Sequence, residues 1–584
     1  MTLEYATLIV YFGFLLLLGG IFARYNRNLS DFARGGAKLT WWMVGTSITM
    51  AGISAFTFTG NASAAFEAGP SLLIVYGANL LGFALGAFFL GPWYRQTRAY
   101  TGADVVRARF GTAPEQFSVY VNLFIAPFGA AIQLWALAVF VSSVFGFPLI
   151  TTIVVIGVIC VIYSTSGGAW AVIATDFVQG IVLFSITILL GMLALAEIGW
   201  FSGFLAAMRD PEIAGAYRLF NDPGEFPANR YTLKWAVAAF LMQALTQTSL
   251  GTSVRYLAVK DGREARRAAS LAFVLMALGS AIWFIPPMVA RFLYADEVFA
   301  MTIPEPGTAS YAVAARHLLP NGLMGVMIAA MFAATMSSLD SGLTAQASVF
   351  VRNLVARIRE WLRLDALRES TEVVLCRSAT VVLGGFIIFL CIILATQTRF
   401  ILFDAYFTIT SVIGVPLLMP LIAGILFRKL ASWSYFFIVG VSFVPSLYSI
   451  IHESRGGGQW SIQDRGMLVL SFGAAAVVVA WLLNRYSSAW HVERERAFFQ
   501  NMLTPVDFEK EVGENRDRAQ AVFLGRSVMA MGTLLFLLLL VPNSIFDRLL
   551  VFALAAFVLA VGGVLRLAAG PAAPSGRSEK KEGG

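Results

Sequence analysis

Charge is what this sequence has little of. Only 13% of its 584 residues are charged, against 58% hydrophobic, and its mean hydropathy is +0.74. Soluble domains carry roughly a quarter charged residues, so most of this surface faces something other than water. The length then reads as one large helical bundle in lipid rather than as several soluble domains. Cysteine and histidine are scarce, at three each. Cys160, Cys376 and Cys391 lie in or beside apolar runs without metal-ligand spacing and imply no disulfide framework. His317, His452 and His491 are widely separated, which argues against a metal centre. The chain has no His/Glu cluster, nucleophile elbow or phosphate loop, so a membrane-embedded enzyme finds no machinery here. The net charge of +8 does not mark a nucleic-acid binder either, because the basic residues fall between apolar runs rather than along one face.

What the chain has is apolar length. A bilayer core of about 30 Å needs about 20 apolar residues per helix. By that measure an all-α membrane protein of about 15 spans is expected, at 3–23, 41–68, 71–93, 117–146, 148–165, 170–197, 232–258, 267–292, 322–352, 377–397, 400–427, 432–451, 465–484, 527–542 and 547–568. The first run lacks a basic leader and a cleavage site and reads as a retained span. With the N-terminus outside, Arg24, Arg27, Arg34, Lys38, Arg95, Arg98, Arg107 and Arg109 become cytoplasmic. So do Lys260, Arg263, Arg266 and Arg267, and then Arg352 to Arg368, while the loops near 69, 147 and 398 are nearly uncharged. This alternation follows the positive-inside rule and predicts a multi-pass protein of the cytoplasmic (inner) membrane with its C-terminus inside. Residues 198–231 read as an external loop. Residues 486–526 read as a cytoplasmic amphipathic linker, 527–568 as a C-terminal helical hairpin and 569–584 as a disordered tail.

Two spans are polar where lipid should demand otherwise. The second reads GTSITMAGISAFTFTGNASAAFEAG from Gly45 to Gly69. Irregular backbone at membrane depth survives only where it is buried or lines a cavity, and a break near Ala51–Ser54 frees carbonyl oxygens of the kind that coordinate Na⁺. The alternative is small residues placed for close helix packing. The ninth span, AAMFAATMSSLDSGLTAQASVF, gathers Ser337, Ser338, Asp340, Ser341 and Thr344 within about two turns. Ser337 and Ser341 are i and i+4 and share a face. Hydroxyls and a carboxylate are hard oxygen ligands suited to an alkali cation. Serines in membrane helices also bond back to their own helix, but an intramembrane carboxylate such as Asp340 is usually functional. Asp176, in AWAVIATDFVQG, reads either as a functional acid or as an end-of-helix charge paired with a loop arginine.

The stretches SDFARGGAKLTWWMVGTSITMAGISAFTFTG, YSTSGGAWAVIATDFVQG and AAMFAATMSSLDSGLTA, in that order and spacing over residues 1–485, resemble the sodium:solute symporter family of sodium–sugar, –proline, –pantothenate and –sialic acid carriers. The resemblance implies a LeuT-type fold: a five-plus-five inverted-repeat helix bundle behind one leading helix (3–23). Repeat one is then 41–197, repeat two 232–427, and additional helices follow at 432–484. It also implies a Na⁺ shell made of the Met50, Ile53 and Ala334 carbonyls and the Ser337 and Ser338 hydroxyls. Asp176 matches the family acid on the cytoplasmic side of that shell. Together with Asp340 and Ser341 it is a candidate for a second cation or for the exit path.

Where sugar carriers hold solute with long amides and a carboxylate, this chain has Thr57, Tyr76 and Ser249, with Phe56 replacing a further polar residue. That argues against a hexose. Ser54, Thr57, Tyr76, Asn79, Thr246, Ser249 and Thr408 are the candidate solute-binding set, and Arg255, near a helix end, is a weak candidate for an anion. The expectation is sodium-coupled symport of a small organic solute by alternating access, in a monomer or weak oligomer whose other partner is the bilayer. A proton-coupled carrier and a transporter-like sensor are the alternatives.

Overall fold

The computed structural model describes residues 2–22, 28–166, 168–249, 254–301, 303, 305–396, 402–513 and 517–570. The expected disordered tail from 571 onward, Arg24, Arg27 and the loop near 398 lie outside the described residues. Within them the protein is all-helical, and the only strand-like pairing is an isolated parallel bridge between Leu39 and Val259. Two compact units form, Met1–Gly513 and Glu514–Gly584.

The helices of the first unit are α1 (Thr2–Phe22), α2 (Trp41–Ala51), α3 (Gly60–Ala68), α4 (Leu73–Leu85) and α5 (Gly91–Gln96). They continue as α6 (Gly102–Phe110), α7 (Thr112–Phe145), α8 (Leu149–Ser166), α9 (Ala169–Glu197), α10 (Leu233–Gln247) and α11 (Gly262–Trp283). Then come α12 (Leu323–Val349), α13 (Glu369–Thr396), α14 (Leu402–Ile409), α15 (Val415–Leu426), α16 (Ser434–Ser454), α17 (Ile462–Leu483) and α18 (Ala489–Leu503). Eleven helical stretches among the described residues are long and apolar enough to cross a membrane, and Glu4–Leu15 and Leu149–Thr165 are shorter apolar helices. The multi-pass reading therefore holds. The count falls short of the expected number partly because the second and seventh expected spans are not continuous helices.

The second expected span stops at Ala51. Gly52 closes α2, Ser54 is extended (φ −150°, ψ −178°), Ala55–Phe58 makes one tight 3₁₀ turn, and α3 restarts at Gly60. Local hydroxyls compete for the backbone here: Ser54 Oγ accepts from Phe56 N at 3.2 Å, and Thr59 Oγ1 donates to the Ala55 carbonyl at 2.8 Å. Lipid offers no such partners, so the turn persists only because it is buried in protein. In the seventh, α10 ends at Gln247 and a 3₁₀ turn follows at Val254–Ala258.

Glycine sets how closely the helices around the first break approach. A side chain on Gly45 of α2 would meet the Ala268 carbonyl of α11 at 2.7 Å, and one on Gly180 of α9 would meet Thr46 Cγ2 at 2.8 Å. Small residues let backbones meet where no aqueous hydrophobic force drives them together. The core helix α12, nearly all of it buried, packs against α1, α7 and α9.

The expected amphipathic linker from 486 to 526 is largely helical over its described residues. Its first part, α18 and the turn Phe508–Glu511, belongs to the first unit, because Phe498, Phe499 and Met502 give α18 an apolar face to bury. Its second part already lies in α19 (Asp517–Phe536), which with α20 (Ile545–Ala568) makes up the second unit. That hairpin is also packed through glycine. A methyl on Gly525 would meet the Gly562 carbonyl at 2.8 Å, and one on Gly532 would meet the Leu559 backbone nitrogen at 2.7 Å.

Candidate functional site

The unwound turn between α2 and α3 is fastened to α12. Ala55 N–H donates to Thr335 Oγ1 at 2.9 Å, across 280 residues of sequence. Two residues along α12, the fully buried Ser337 hydroxyl lies beside Asp176 without closing a hydrogen bond. The Met50–Ile53 turn, the Ala334–Ser338 segment and Asp176 are thus neighbours, although α2, α9 and α12 are far apart in sequence. Ser338 takes the other option open to a membrane serine: its Oγ bonds back to the Thr335 carbonyl at 3.0 Å and the Ala334 carbonyl at 3.4 Å.

Asp176 is fully buried on α9 and accepts from Ser47 Oγ of α2 at 2.5 Å. Ser47 in turn accepts from Arg255 Nε at 3.0 Å, and Arg255 Nη2 donates to Ser341 Oγ of α12. The end-of-helix reading of Asp176 fails on this geometry, because its cationic neighbour is a buried arginine reached through a serine. Asp340 points elsewhere and accepts from Ser164 Oγ of α8. Asp176 and Asp340 are therefore held by different helices.

A cavity of about 400 Å³ runs from Ala51, Ser249, Arg255, Ser338 and Ser341 to the side of the bundle carrying Arg34, Gly102 and Val106. Of the candidate solute residues only Ser249 lines it. Tyr76 accepts from Asn61 Nδ2 at 2.9 Å, and the Asn79 carbonyl oxygen accepts from Gln243 Nε2 at 2.7 Å. Gln243 Oε1 accepts from Tyr406 OH at 3.0 Å, and the Tyr406 ring lies 5.3 Å from that of Phe56, just before Thr57. Tyr76 with Asn61, and Asn79 with Gln243 and Tyr406, thus form two separate polar sets, whereas Thr246 bonds back to the Met242 carbonyl at 2.9 Å. Ser54 caps its own turn, and Thr408 is half-buried on α14.

Known proteins bear on this arrangement. The sodium:solute symporter model matches residues 32–434. The chain belongs to the sodium:solute symporter family. Among symporter relatives it is 25% identical over 484 residues to sodium/glucose cotransporter 4 of Danio rerio, covering 77% of this chain and 72% of that one. It is 22% identical over 494 residues to the sodium/sialic acid symporter SiaT of Proteus mirabilis, covering 82% and 94%. A solved Na⁺-coupled sialic acid symporter, substrate-bound and outward-open, superposes with a TM-score of 0.69 at 20% identity over 83% of this chain and 98% of that one, which establishes the shared fold. This symporter is accordingly a multi-pass membrane protein, and Na⁺ is its coupling ion.

Sequence reasoning missed several residues that bond around the candidate site. Ser47 precedes Met50 by one turn in a segment already noted as too polar for lipid, so a signal existed. Thr335 and Ser164 carried no signal beyond being hydroxyls on buried helices. Gln243 of α10 meets Asn79, and Tyr406 of α14 meets Gln243, only in three dimensions.

Proposed function

We propose that this symporter couples inward Na⁺ flow to uptake of a small organic solute across the cytoplasmic membrane by alternating access, with its N-terminus outside. The scaffold is a five-plus-five inverted repeat whose first helices are broken at Gly52–Ser54 and after Gln247. The observation that carries this reading is the Ala55–Thr335 hydrogen bond, with the buried Ser337 hydroxyl two residues further along α12. It ties the turn that carries the Met50 and Ile53 carbonyls to the helix that carries the Ala334, Ser337 and Ser338 oxygens, which supports a shell of hard ligands for Na⁺ there. Na⁺ bound there ties α2 to α12, and the ordering favours solute binding, so each ligand raises the other's affinity by the same factor. The cavity reaching Ser338 from the basic-loop side supports an inward-facing form from which Na⁺ leaves past Asp176. Asp340 and Ser341 serve that exit or a second cation.

The Asn61–Tyr76 pair and the Asn79–Gln243–Tyr406 set are each already internally bonded, and Phe56 and Thr57 add little hydrogen-bonding capacity. This supports a solute with fewer hydroxyls than a hexose. The test of the Na⁺ site is uptake into proteoliposomes by the Ser337→Ala/Ser338→Ala double variant across a Na⁺ series. Half-saturation is expected to rise at least about tenfold, the loss of two hydroxyl ligands. Unchanged Na⁺ dependence would refute the assignment.

A further inference from the structure

Arg255 stands at the meeting point of four separate pieces of chain. It follows the end of α10 and is 8% exposed. Its guanidinium donates to Ser47 of α2, which donates to Asp176 of α9, and also to Ser341 of α12, while the side chain lines the cavity together with Ser338 and Ser341. Neither acceptor it touches is itself charged. The buried carboxylate it serves is reached through a hydroxyl, and a further buried carboxylate, Asp340, is held apart by Ser164.

We propose that Arg255 is a tethered counter-cation that takes over Asp176 and Ser341 in the cavity-open form and so expels Na⁺ and blocks its return. The inference rests on the Na⁺ site proposed above. A buried carboxylate and a pair of hydroxyls are stabilised by a cation, and two cations cannot share them at close range in a low dielectric. When Na⁺ sits at Met50, Ile53, Ala334, Ser337 and Ser338, the unpartnered Ser337 hydroxyl and Asp176 face it. When the break region moves, the guanidinium supplies the compensating charge from a covalent tether that does not diffuse away. The serine relay suits this exchange. Hydroxyl contacts are remade at the cost of a hydrogen bond, whereas a direct buried ion pair leaves an uncompensated charge when it opens. Arg255 is thus a positioning residue for cation release, not a solute ligand.

Exchange and net transport separate this role from a structural one. With saturating Na⁺ on both sides, solute exchange needs only the loaded carrier to turn over, whereas net uptake needs Na⁺ to leave. In proteoliposomes R255Q is expected to keep exchange within about twofold of wild type while net uptake falls about tenfold. Na⁺ half-saturation on the cavity side should fall by a similar factor, within the range of typical coupling free energies. R255K, which keeps the charge, is expected to restore most of the net uptake. S47A, which keeps the guanidinium and removes the hydroxyl that joins it to Asp176, should show the same split at smaller size. Wild-type net uptake and half-saturation in R255Q would overturn the proposal. So would a parallel loss of exchange and net uptake in R255Q alongside wild-type behaviour of S47A. If the Ser337/Ser338 double variant loses Na⁺ dependence while R255Q matches wild type, the counter-cation role alone falls. If the double variant keeps its Na⁺ dependence, the site itself falls.

Discussion

Two buried arginines, at different places in the first unit, are compensated in opposite ways. Arg230, just before α10, meets Glu67 of α3 at 3.5 Å and Asp404 of α14 at 3.6 Å, with both carboxylates about a third exposed. Arg255 reaches its one carboxylate through Ser47. The first arrangement is two direct ion pairs joining the far half of the broken helix, the start of α10 and α14. Opening it strands charge. The second is a chain of hydroxyls, and opening it costs hydrogen bonds. The difference teaches where the protein is built to stay closed and where it is built to change partners. A third arginine, Arg98, grips Glu511 at 2.8 Å at the exposed surface and, with the Asn501, Thr504 and Pro505 oxygens, fastens the 489–513 segment to the loop after α5.

The comparison is tested most severely by stability. R230Q leaves Glu67 and Asp404 facing each other and is expected to cost on the order of 3 kcal/mol, below the largest values for buried pairs because both carboxylates keep some water. R255Q should cost far less, and equal losses in the unfolding midpoint measured in detergent would erase the distinction. Next in size is Gly45→Ala, a packing defect that touches neither arginine. Its new methyl meets the Ala268 carbonyl at 2.7 Å, a backbone atom that cannot swing away, so about 1–3 kcal/mol of destabilisation is expected. An unchanged midpoint would mean that α2 already slides against α11, and the relay through Ser47 would then be no more adaptable than its surroundings.

The smallest effect belongs to the exposed pair. Hydrogen bonding from Arg98 holds the Glu511 carboxyl below its usual range. A carboxyl depressed in the folded state contributes stability that is present above its unfolded value of about 4.3 and is lost as pH falls through the lower folded value. Screening by solvent keeps this below about 1 kcal/mol. Hydrogen exchange in 489–513 is therefore expected to quicken modestly as pH drops below about 4, after correction for the intrinsic rate. E511Q should remove that pH dependence. Persistence of the step in E511Q would assign it to another group.

Much of the candidate site was legible because membrane depth makes polar residues conspicuous. The Gly45–Gly69 segment and the Ser337–Ser341 cluster stand out against apolar surroundings, and the break falls at Gly52–Ser54 within the stretch singled out. Asp176 stood out for the same reason, though not its partner: an arginine near a helix end looks like a loop charge until the chain folds it beneath Ser47. Expected helix ends were weakest where composition changes slowly. The segment after 485 reads as an amphipathic linker, and the face shared by Phe498, Phe499 and Met502 is buried.

The sequence by itself determined that this chain lives in a bilayer and marked Gly45–Gly69 as a stretch too polar for an ordinary span. Desolvation makes each of those choices locally, residue by residue. Which hydroxyl serves which carboxylate was decided only by the tertiary structure, because Ser47, Asp176, Arg255 and Ser341 lie on elements that no local pattern relates. A hydrogen bond of about 3 Å depends on helix packing set by glycines such as Gly45 and Gly180, and that packing is a property of the whole bundle.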